Sequence, residues 1–211
     1  YLITHVLRTY SMQITGKSFI NDDDLAINPT EEQITEILQY ISDLYSTETV
    51  QAAGETATFE GSPQTNTKWV NGQVVCAFTN SSQLNNFTSA NENAEYMVVD
   101  MPVQSDSSKQ LNDGYSLEPP QLMCINKNSE HIEEAVEFLD YFFNNEEAAV
   151  TLKDLRSVPP TENAQKICEE QGLIDELVIN SVELASDKNG ISEMGLTTDA
   201  EVEAVFRTMI E

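Results

Sequence analysis

Three short runs of apolar residues interrupt a sequence that otherwise follows a helical pattern. The first run, residues 74–78, comes after Gly72 and before a polar Asn-Ser-Ser tract. An apolar run without alternation suits a strand covered on both faces, although periodicity alone does not separate it from a buried helix. Its shortness and its flanking residues favour the strand. We expect residues 97–103 and 122–126 to form two further buried strands.

Helical periodicity accounts for most of the remaining chain. Apolar residues recur at spacings of three and four in residues 1–12 and 29–45, which predicts a helix in each stretch. Asn28, Pro29 and Glu31 form a start signal for the second helix, with Asn28 as its cap. Later helices are predicted from the cap residue Ser129 onward and in residues 146–155, 161–172, 173–186 and 199–210. Buried strands among these helices predict an α/β fold.

Four sequence patterns follow one another along the chain. Residues 68–82 run from Trp69 through Asn-Gly and a small apolar strand to a polar loop, and residues 96–103 combine a tyrosine, an apolar strand and Pro102. Residues 114–139 join a glycine, an Asn-Lys-Asn-Ser turn and a helix, and residues 156–160 form an Arg-Ser-Val-Pro-Pro turn. In order and spacing, these patterns resemble the extracellular solute-binding proteins of sugar-type ABC importers.

The resemblance implies a class II periplasmic-binding-protein fold, represented here by its second half. Residues 1–83 and 156–211 would lie mainly in one lobe, and residues 84–155 would form a crossover and elements of the other lobe. It also implies a recognition subunit that binds a small-molecule solute, a sugar in this family's pattern, and presents it to ABC permease subunits. We expect a longer parent protein with an N-terminal lobe and a lipid-attached leader, located in the periplasm, outside the cell or on its surface.

The charge of the chain narrows the choice of partners. Ten Lys and Arg residues stand against 36 Asp and Glu residues, which gives a net charge of −26. This charge repels nucleic-acid backbones and anionic lipid surfaces, so it argues against nucleic-acid binding. No apolar run approaches the roughly 18 residues that a membrane span needs, so we expect no span in this chain. Cys76, Cys124 and Cys168 lie among apolar residues without a CxxC spacing, which predicts buried free thiols.

Polar side chains on the loops after the predicted strands are candidate solute contacts. Asn80, Ser81 and Ser82 follow the first strand, and Asp113 and Tyr115 fall between the second and the third. Ligands of open α/β folds bind at such loops, and amides, hydroxyls and aromatic rings suit sugars. We expect these five residues to line one concave surface, with ordinary polar loops as the alternative. Many family members place an aromatic residue where Ser81 and Ser82 stand, which puts a long oligosaccharide in doubt.

The sequence shows no catalytic motif. His5 and His131 are its two histidines, and neither HExxH nor G-x-S-x-G occurs. We therefore expect a binding protein rather than an enzyme, with no cofactor and no metal. Two alternatives stay open: a secreted glycan-active enzyme and an interaction module without a small ligand. A carboxylate pair roughly 5 to 10 Å apart beside a cleft would indicate the enzyme.

Overall fold

The computed structural model of the protein describes residues 2–59, 61–116, 122–155, 157–192 and 195–210. Helices dominate these ranges: α1 (Leu2–Thr15), α2 (Glu31–Ser46), α3 (Ala53–Thr56), α4 (Thr67–Val70), α5 (Leu84–Ala90), α6 (Ile132–Asn144), α7 (Glu146–Leu152), α8 (Glu162–Glu170), α9 (Glu176–Ser186) and α10 (Ala200–Ile210). Short 3-10 turns lie at Ala57–Phe59, Pro63–Thr65, Ser81–Gln83, Ser107–Lys109 and Leu196–Thr198.

The chain divides into two compact units. Unit 1 consists of Tyr1–Phe78, Val99–Glu118 and Asp187–Glu211, and unit 2 consists of Thr79–Val98 and Pro119–Ser186. Residues 156–186 therefore belong to unit 2, whereas the lobe division from the sequence groups them with residues 1–83. That division into lobes stays a prediction.

Helix α1 is the central element of unit 1. It packs against α2 and α10, and the apolar core around it is formed by Leu7, Ile14, Phe19, Ile37, Ile41 and Phe206. The rings of Phe19 and Phe206 meet edge to face, with their centroids 4.8 Å apart. The buried residues of α1 include the polar residues Thr4, Arg8, Thr9, Ser11 and Gln13. Arg8 donates to Glu203 of α10 and Gln13 donates to the Pro102 carbonyl, so α1 carries polar anchors as well as core side chains.

The start of α2 differs from the sequence prediction in its cap residue. Thr30 caps the helix, since its hydroxyl accepts a hydrogen bond from the Gln33 N–H at 3.3 Å and the Gln33 side chain accepts one from the Thr30 N–H at 2.9 Å. The predicted cap, Asn28, instead donates from its side chain to the Ser18 carbonyl at 2.8 Å. The helix is thus confirmed and its predicted cap is wrong, because Asn28 stabilises the preceding turn.

Unit 2 is organised around α7, α8 and α9. Ala149, Ala164, Cys168, Ile174 and Val178 form its buried core. The Thr161 hydroxyl caps α8 by accepting from the Ala164 N–H at 3.4 Å, and Gly172 with φ +64° follows the end of the helix. Both signals confirm the helix predicted here from residue 161 to Gly172.

The apolar stripe of α6 is not buried. The sequence predicts it as core, but the 13-residue helix contains no buried residue. Val136 and Phe138 are 52% and 59% exposed. The prediction of a core helix is wrong for the described chain, because an apolar face becomes core only where another element covers it.

The three predicted strands are not confirmed. In the described ranges the β pairs are isolated bridges, Ile20↔Ile27, Ser116↔Ile191 and Leu155↔Ser157. Residues 74–78 have no ladder partner among the residues that the structure describes, and Val75 is 100% exposed. Met97 and Leu122 in the other two segments are 79% and 72% exposed. A strand needs a neighbour that pairs with its N–H and C=O groups. The described chain is mainly helical, so the α/β prediction is not confirmed here.

The same uncovered segments change the interpretation of the cysteines. Cys76 and Cys124 lie in two of these segments and are exposed, whereas Cys168 in α8 is buried. The prediction of a buried thiol is therefore confirmed at 168 and wrong at 76 and 124. Within the described residues, no helix combines the length and the apolar character that crossing a membrane requires.

Candidate functional site

The loop that carries Asp113 and Tyr115 is fixed to α1 through Gln13. The Leu111 N–H donates to the Gln13 carbonyl at 2.7 Å. The Gln13 side-chain amide donates to the Pro102 carbonyl at 2.7 Å and to the Asp113 carbonyl at 3.4 Å. Gln13 is 3% exposed, so these bonds are shielded from water. A buried amide on the central helix of unit 1 thus positions two predicted site residues.

Gly114 lets this loop approach α1 closely. Its φ is +81°, a conformation that other residues rarely adopt, and its N–H donates to the Asn112 side-chain oxygen at 2.8 Å. A Cβ added at Gly114 would lie 2.8 Å from Thr9 Cγ2 and 2.9 Å from Gln13 Cγ. Glycine is therefore required here by both the backbone angle and the lack of space.

A hydrogen-bonded cluster surrounds the Tyr115 hydroxyl, and we call Asp100, Asp113, Tyr115, Lys188 and Asn189 the Tyr115 cluster. The hydroxyl donates to Asp100 Oδ1 at 2.8 Å. Lys188 Nζ lies 3.0 Å from each oxygen of the same carboxylate. The Asp100 carboxylate therefore joins a phenol to an ammonium group on the surface of unit 1.

These contacts perturb the acid–base behaviour of three groups. Hydrogen bonds from Lys188 and Tyr115 lower the pKa of Asp100, and the bond to Asp100 raises the pKa of Lys188. Burial, followed by the hydrogen bond to Asp100, raises the pKa of Tyr115 to about 12. At neutral pH Asp100 is consequently a carboxylate, Lys188 an ammonium and Tyr115 a neutral phenol.

The segment around Asn189 holds the other side of the loop. The Asn189 N–H donates to Asp113 Oδ2 at 2.8 Å, and the Ile191 N–H donates to the Tyr115 carbonyl at 2.9 Å. Sequence reasoning missed Asp100, Lys188 and Asn189. Asp100 lies inside a predicted strand and the other two lie in a polar tract more than 70 residues after Tyr115, so no local pattern connects them to the site.

Asn80, Ser81 and Ser82 lie together in unit 2. Ser81–Gln83 forms a 3-10 turn with Asn80 at its N-cap, and the Asn80 side chain makes no capping bond. Asn80 and Ser81 are exposed and Ser82 is half-buried. The Ser157 hydroxyl donates to Ser81 Oγ at 3.2 Å, a contact that the sequence does not predict.

The structure brings the predicted residues together within each unit. Asp113 and Tyr115 share one loop of unit 1, and residues 80–82 share one turn of unit 2. That the two groups line a single concave surface stays a prediction. In the described part of the chain, no group of three or more His, Cys, Asp or Glu residues is arranged to hold a metal ion.

Several solved structures share the fold of this chain. The chain matches a periplasmic oligogalacturonide-binding protein from Yersinia enterocolitica, solved in complex with saturated digalacturonic acid, with a TM-score of 0.88 and 17% identity. It also matches a periplasmic solute-binding protein from Pectobacterium atrosepticum SCRI1043 (TM-score 0.78, 19% identity) and a de novo designed cysteine esterase (TM-score 0.77, 16% identity). Each match covers 99% of this chain and 52% of the other chain, so the protein spans about half the length of these structures.

The fold is thus shared with periplasmic solute-binding proteins. The sequence model of the bacterial extracellular solute-binding protein family matches residues 4–176, which is most of the chain. The protein belongs to this family, and the resemblance seen in its sequence motifs is confirmed. Family membership makes it an extracellular or periplasmic protein of a class that binds solutes.

Proposed function

We propose that this chain recognises a carbohydrate as part of the solute-binding component of an ABC importer. The observation that carries the proposal is the family match over residues 4–176. That range includes all five predicted contact residues, Asn80, Ser81, Ser82, Asp113 and Tyr115. The Yersinia structure, with its bound digalacturonic acid, supports a sugar as the class of solute.

The groups on the two loops suit the chemistry of a sugar. Asn80 and Ser81 are exposed and offer amide and hydroxyl groups to sugar hydroxyls. Asp113 uses Oδ2 to accept from Asn189, which leaves Oδ1 to accept from a sugar hydroxyl. The Tyr115 hydroxyl is bound to Asp100, so the ring is held in one orientation in which it can stack on a sugar face.

The charges in the Tyr115 cluster favour an uncharged sugar. Lys188 is paired with Asp100, and Asp113 adds a further negative charge. The whole chain carries a net charge of −26. An acidic sugar would meet repulsion that a neutral sugar avoids. We therefore propose a neutral carbohydrate, in contrast to the acidic ligand in the Yersinia structure.

Transport is proposed for the whole protein. Solute contacts with both lobes would favour the closed form, and that form would be presented to the ABC permease. A lipid-attached leader would keep the binding protein near the membrane. Because the chain covers 52% of the length of the solved structures, the import function, the lipid-attached leader and the permease partner are proposed for the whole protein.

NMR titration of the 15N-labelled 211-residue protein tests the proposal. Neutral disaccharides and digalacturonate are added up to millimolar concentrations, because part of a cleft is expected to bind weakly. We expect saturable shifts of the amide signals of residues 80–82, 113 and 115 with a neutral sugar and smaller shifts with digalacturonate. Chromatography of the sugar after incubation tests the alternative of a glycan-active enzyme, since cleavage products would favour it.

Two variants with matched controls locate the site. Asn80→Ala and Tyr115→Ala should each cost about 1 to 3 kcal/mol of binding free energy, through loss of an amide and of a stacking face. Asn86→Ala and Tyr40→Ala are the controls, since both residues are exposed in the same units without belonging to the proposed site. The absence of saturable shifts with every carbohydrate would refute the proposed function.

A further inference from the structure

Two residues of one loop in unit 2, Lys153 and Ser157, have an unusual backbone. Lys153 has φ +50° and ψ −129°, and Ser157 has φ +82°, although neither residue is glycine. Residues with side chains adopt such angles at a cost in free energy, and they persist only where their surroundings hold them. Strained residues of this kind cluster at ligand and active sites.

Asp154 holds the strained loop in place. Its carbonyl accepts from the Asn85 side chain at 3.0 Å and from the Ser157 N–H at 3.2 Å. Its carboxylate accepts from the Asp175 N–H at 2.8 Å. The loop is therefore fixed to α5 and to the residue just before α9, all within unit 2.

The position of Ser157 creates a pair of hydroxyl groups. Its hydroxyl donates to Ser81 Oγ at 3.2 Å across a sequence separation of 76 residues. Because Ser157 is the donor, the Ser81 hydroxyl hydrogen stays available to an external acceptor, and the Ser157 oxygen can still accept. Ser81 is exposed and Ser157 is half-buried, so the pair lies at the surface of unit 2. Linked hydroxyls polarise each other and strengthen an added hydrogen bond.

We infer that Ser157 contacts the solute together with Ser81, and that the described residues 153–155 and 157 form a second recognition segment in unit 2. The inference rests on the proposed carbohydrate function. It specifies the part of the solute that unit 2 binds: neighbouring hydroxyls of an uncharged sugar, one of which accepts from the Ser81 hydroxyl while one donates to the Ser157 oxygen. Lys153 is exposed at the far end of the segment, and the pair itself carries no charge.

Two substitutions at one position separate recognition from folding. Ser157→Ala removes the hydroxyl and retains the strained backbone, whereas Ser157→Gly removes the hydroxyl and relieves the strain at φ +82°. Ser186→Ala is the matched control, because Ser186 is an exposed serine of unit 2 whose hydroxyl bonds within its own helix, to the Glu183 carbonyl at 2.9 Å. Affinities for a neutral disaccharide are measured by NMR titration and thermal midpoints by circular dichroism.

Both Ser157 variants should bind the disaccharide about five-fold to ten-fold more weakly than the wild type, the loss expected for one hydrogen bond. Ser186→Ala should bind as the wild type does. The thermal midpoint of Ser157→Gly should be equal to or above that of the wild type, so its weaker binding would not reflect unfolding. A deoxy analogue that lacks one of the two sugar hydroxyls should bind the wild type weakly and lose little further affinity in Ser157→Ala.

These measurements distinguish a failure of the Ser157 inference from a failure of the proposed carbohydrate function. If Ser157→Ala and Ser157→Gly bind like the wild type while Ser81→Ala binds weakly, the inference is wrong and the proposed function stands. A lower thermal midpoint for Ser157→Ala with unchanged affinity would show that the hydroxyl only tethers two loops. If the wild type binds no carbohydrate at all, both the proposed function and the inference are overturned.

Discussion

Replacing Gly114 by alanine tests how closely the candidate site loop packs on α1. The residue has φ +81°, and an added Cβ would lie 2.8 Å from Thr9 Cγ2 and 2.9 Å from Gln13 Cγ. Thr9 and Gln13 are buried in the central helix of unit 1. Gln13 cannot move away without disturbing the hydrogen bonds that hold the loop.

The expected loss of stability has two parts. A side chain at this positive φ costs about 1 kcal/mol. Carbon atoms normally approach to about 3.5 to 4.0 Å, so contacts at 2.8 and 2.9 Å must be relieved by shifts that cost about 1 to 3 kcal/mol. Gly114→Ala should therefore lower the free energy of unfolding of unit 1 by about 2 to 4 kcal/mol.

Another glycine of the same unit supplies the control. Gly61 has φ +84°, and an added Cβ there would meet nothing within 4 Å. Gly61→Ala should show the backbone cost alone, about 1 kcal/mol. Gly54→Ala should cost nothing, because Gly54 has neither a positive φ nor a neighbour within 4 Å of an added Cβ.

Urea denaturation followed by tryptophan fluorescence measures these differences in unit 1. Trp69 is the single tryptophan of the chain and belongs to unit 1, so its signal reports on that unit even if unit 2 unfolds separately. The difference between Gly114→Ala and Gly61→Ala is the cost of the close approach. Equal losses in the two variants would show that the loop does not pack on α1 as described.

Two other predictions concern the Tyr115 cluster and the cysteine thiols. Lys188→Met should raise the pKa of Asp100 toward its ordinary value of 3.8, because it removes the hydrogen bond that contributes most to the lowering. Carbon-detected NMR titration measures the shift. An unchanged pKa would contradict the pairing of Lys188 with Asp100. Because the pKa of Asp100 is lowered in the folded state, its stabilisation of the fold is present above pH 3.8 and is lost as the pH falls through the lowered pKa. The Lys188→Met variant should therefore lose less stability than the wild type on acidification in that range. A thiol reagent should label Cys76 and Cys124 rapidly in the native protein and Cys168 only on unfolding; rapid labelling of all three would contradict the buried position of Cys168.

Helices were predictable from the sequence because their signals are local. Thr161 and Gly172 mark the two ends of α8 within a dozen residues, and each acts on backbone groups of its own helix. The cap of α2 shows the limit of this reasoning, since Asn28 and Thr30 are both suitable residues. Which of the two residues caps α2 depends on Ser18, because its carbonyl accepts a hydrogen bond from the Asn28 side chain.

Strands and burial were not predictable to the same extent, because they depend on what lies beside a segment. The apolar run at residues 74–78 and the stripe of α6 satisfy the patterns of buried elements, but the described chain leaves Val75 and Phe138 exposed. The site was predictable only in part for the same reason. Asp113 and Ser81 stand out as loop residues, whereas their partners Asn189 and Ser157 are 76 residues away in each case.

The anchoring of the Tyr115 loop separates the residues that fix its shape from those available to a solute. Gln13, Asn112 and Gly114 are buried. Gln13 and Asn112 hold the loop through hydrogen bonds, and Gly114 lets it pack against α1 because it has no side chain. Asp113 and Tyr115 are half-buried and project from the same loop. Substitution at 113 or 115 removes the bond to Asn189 or to Asp100, but it leaves the contacts of the buried residues with α1 in place. We therefore expect substitutions at positions 113 and 115 to change the solute preference of unit 1, with Gln13 and Gly114 required by the fold.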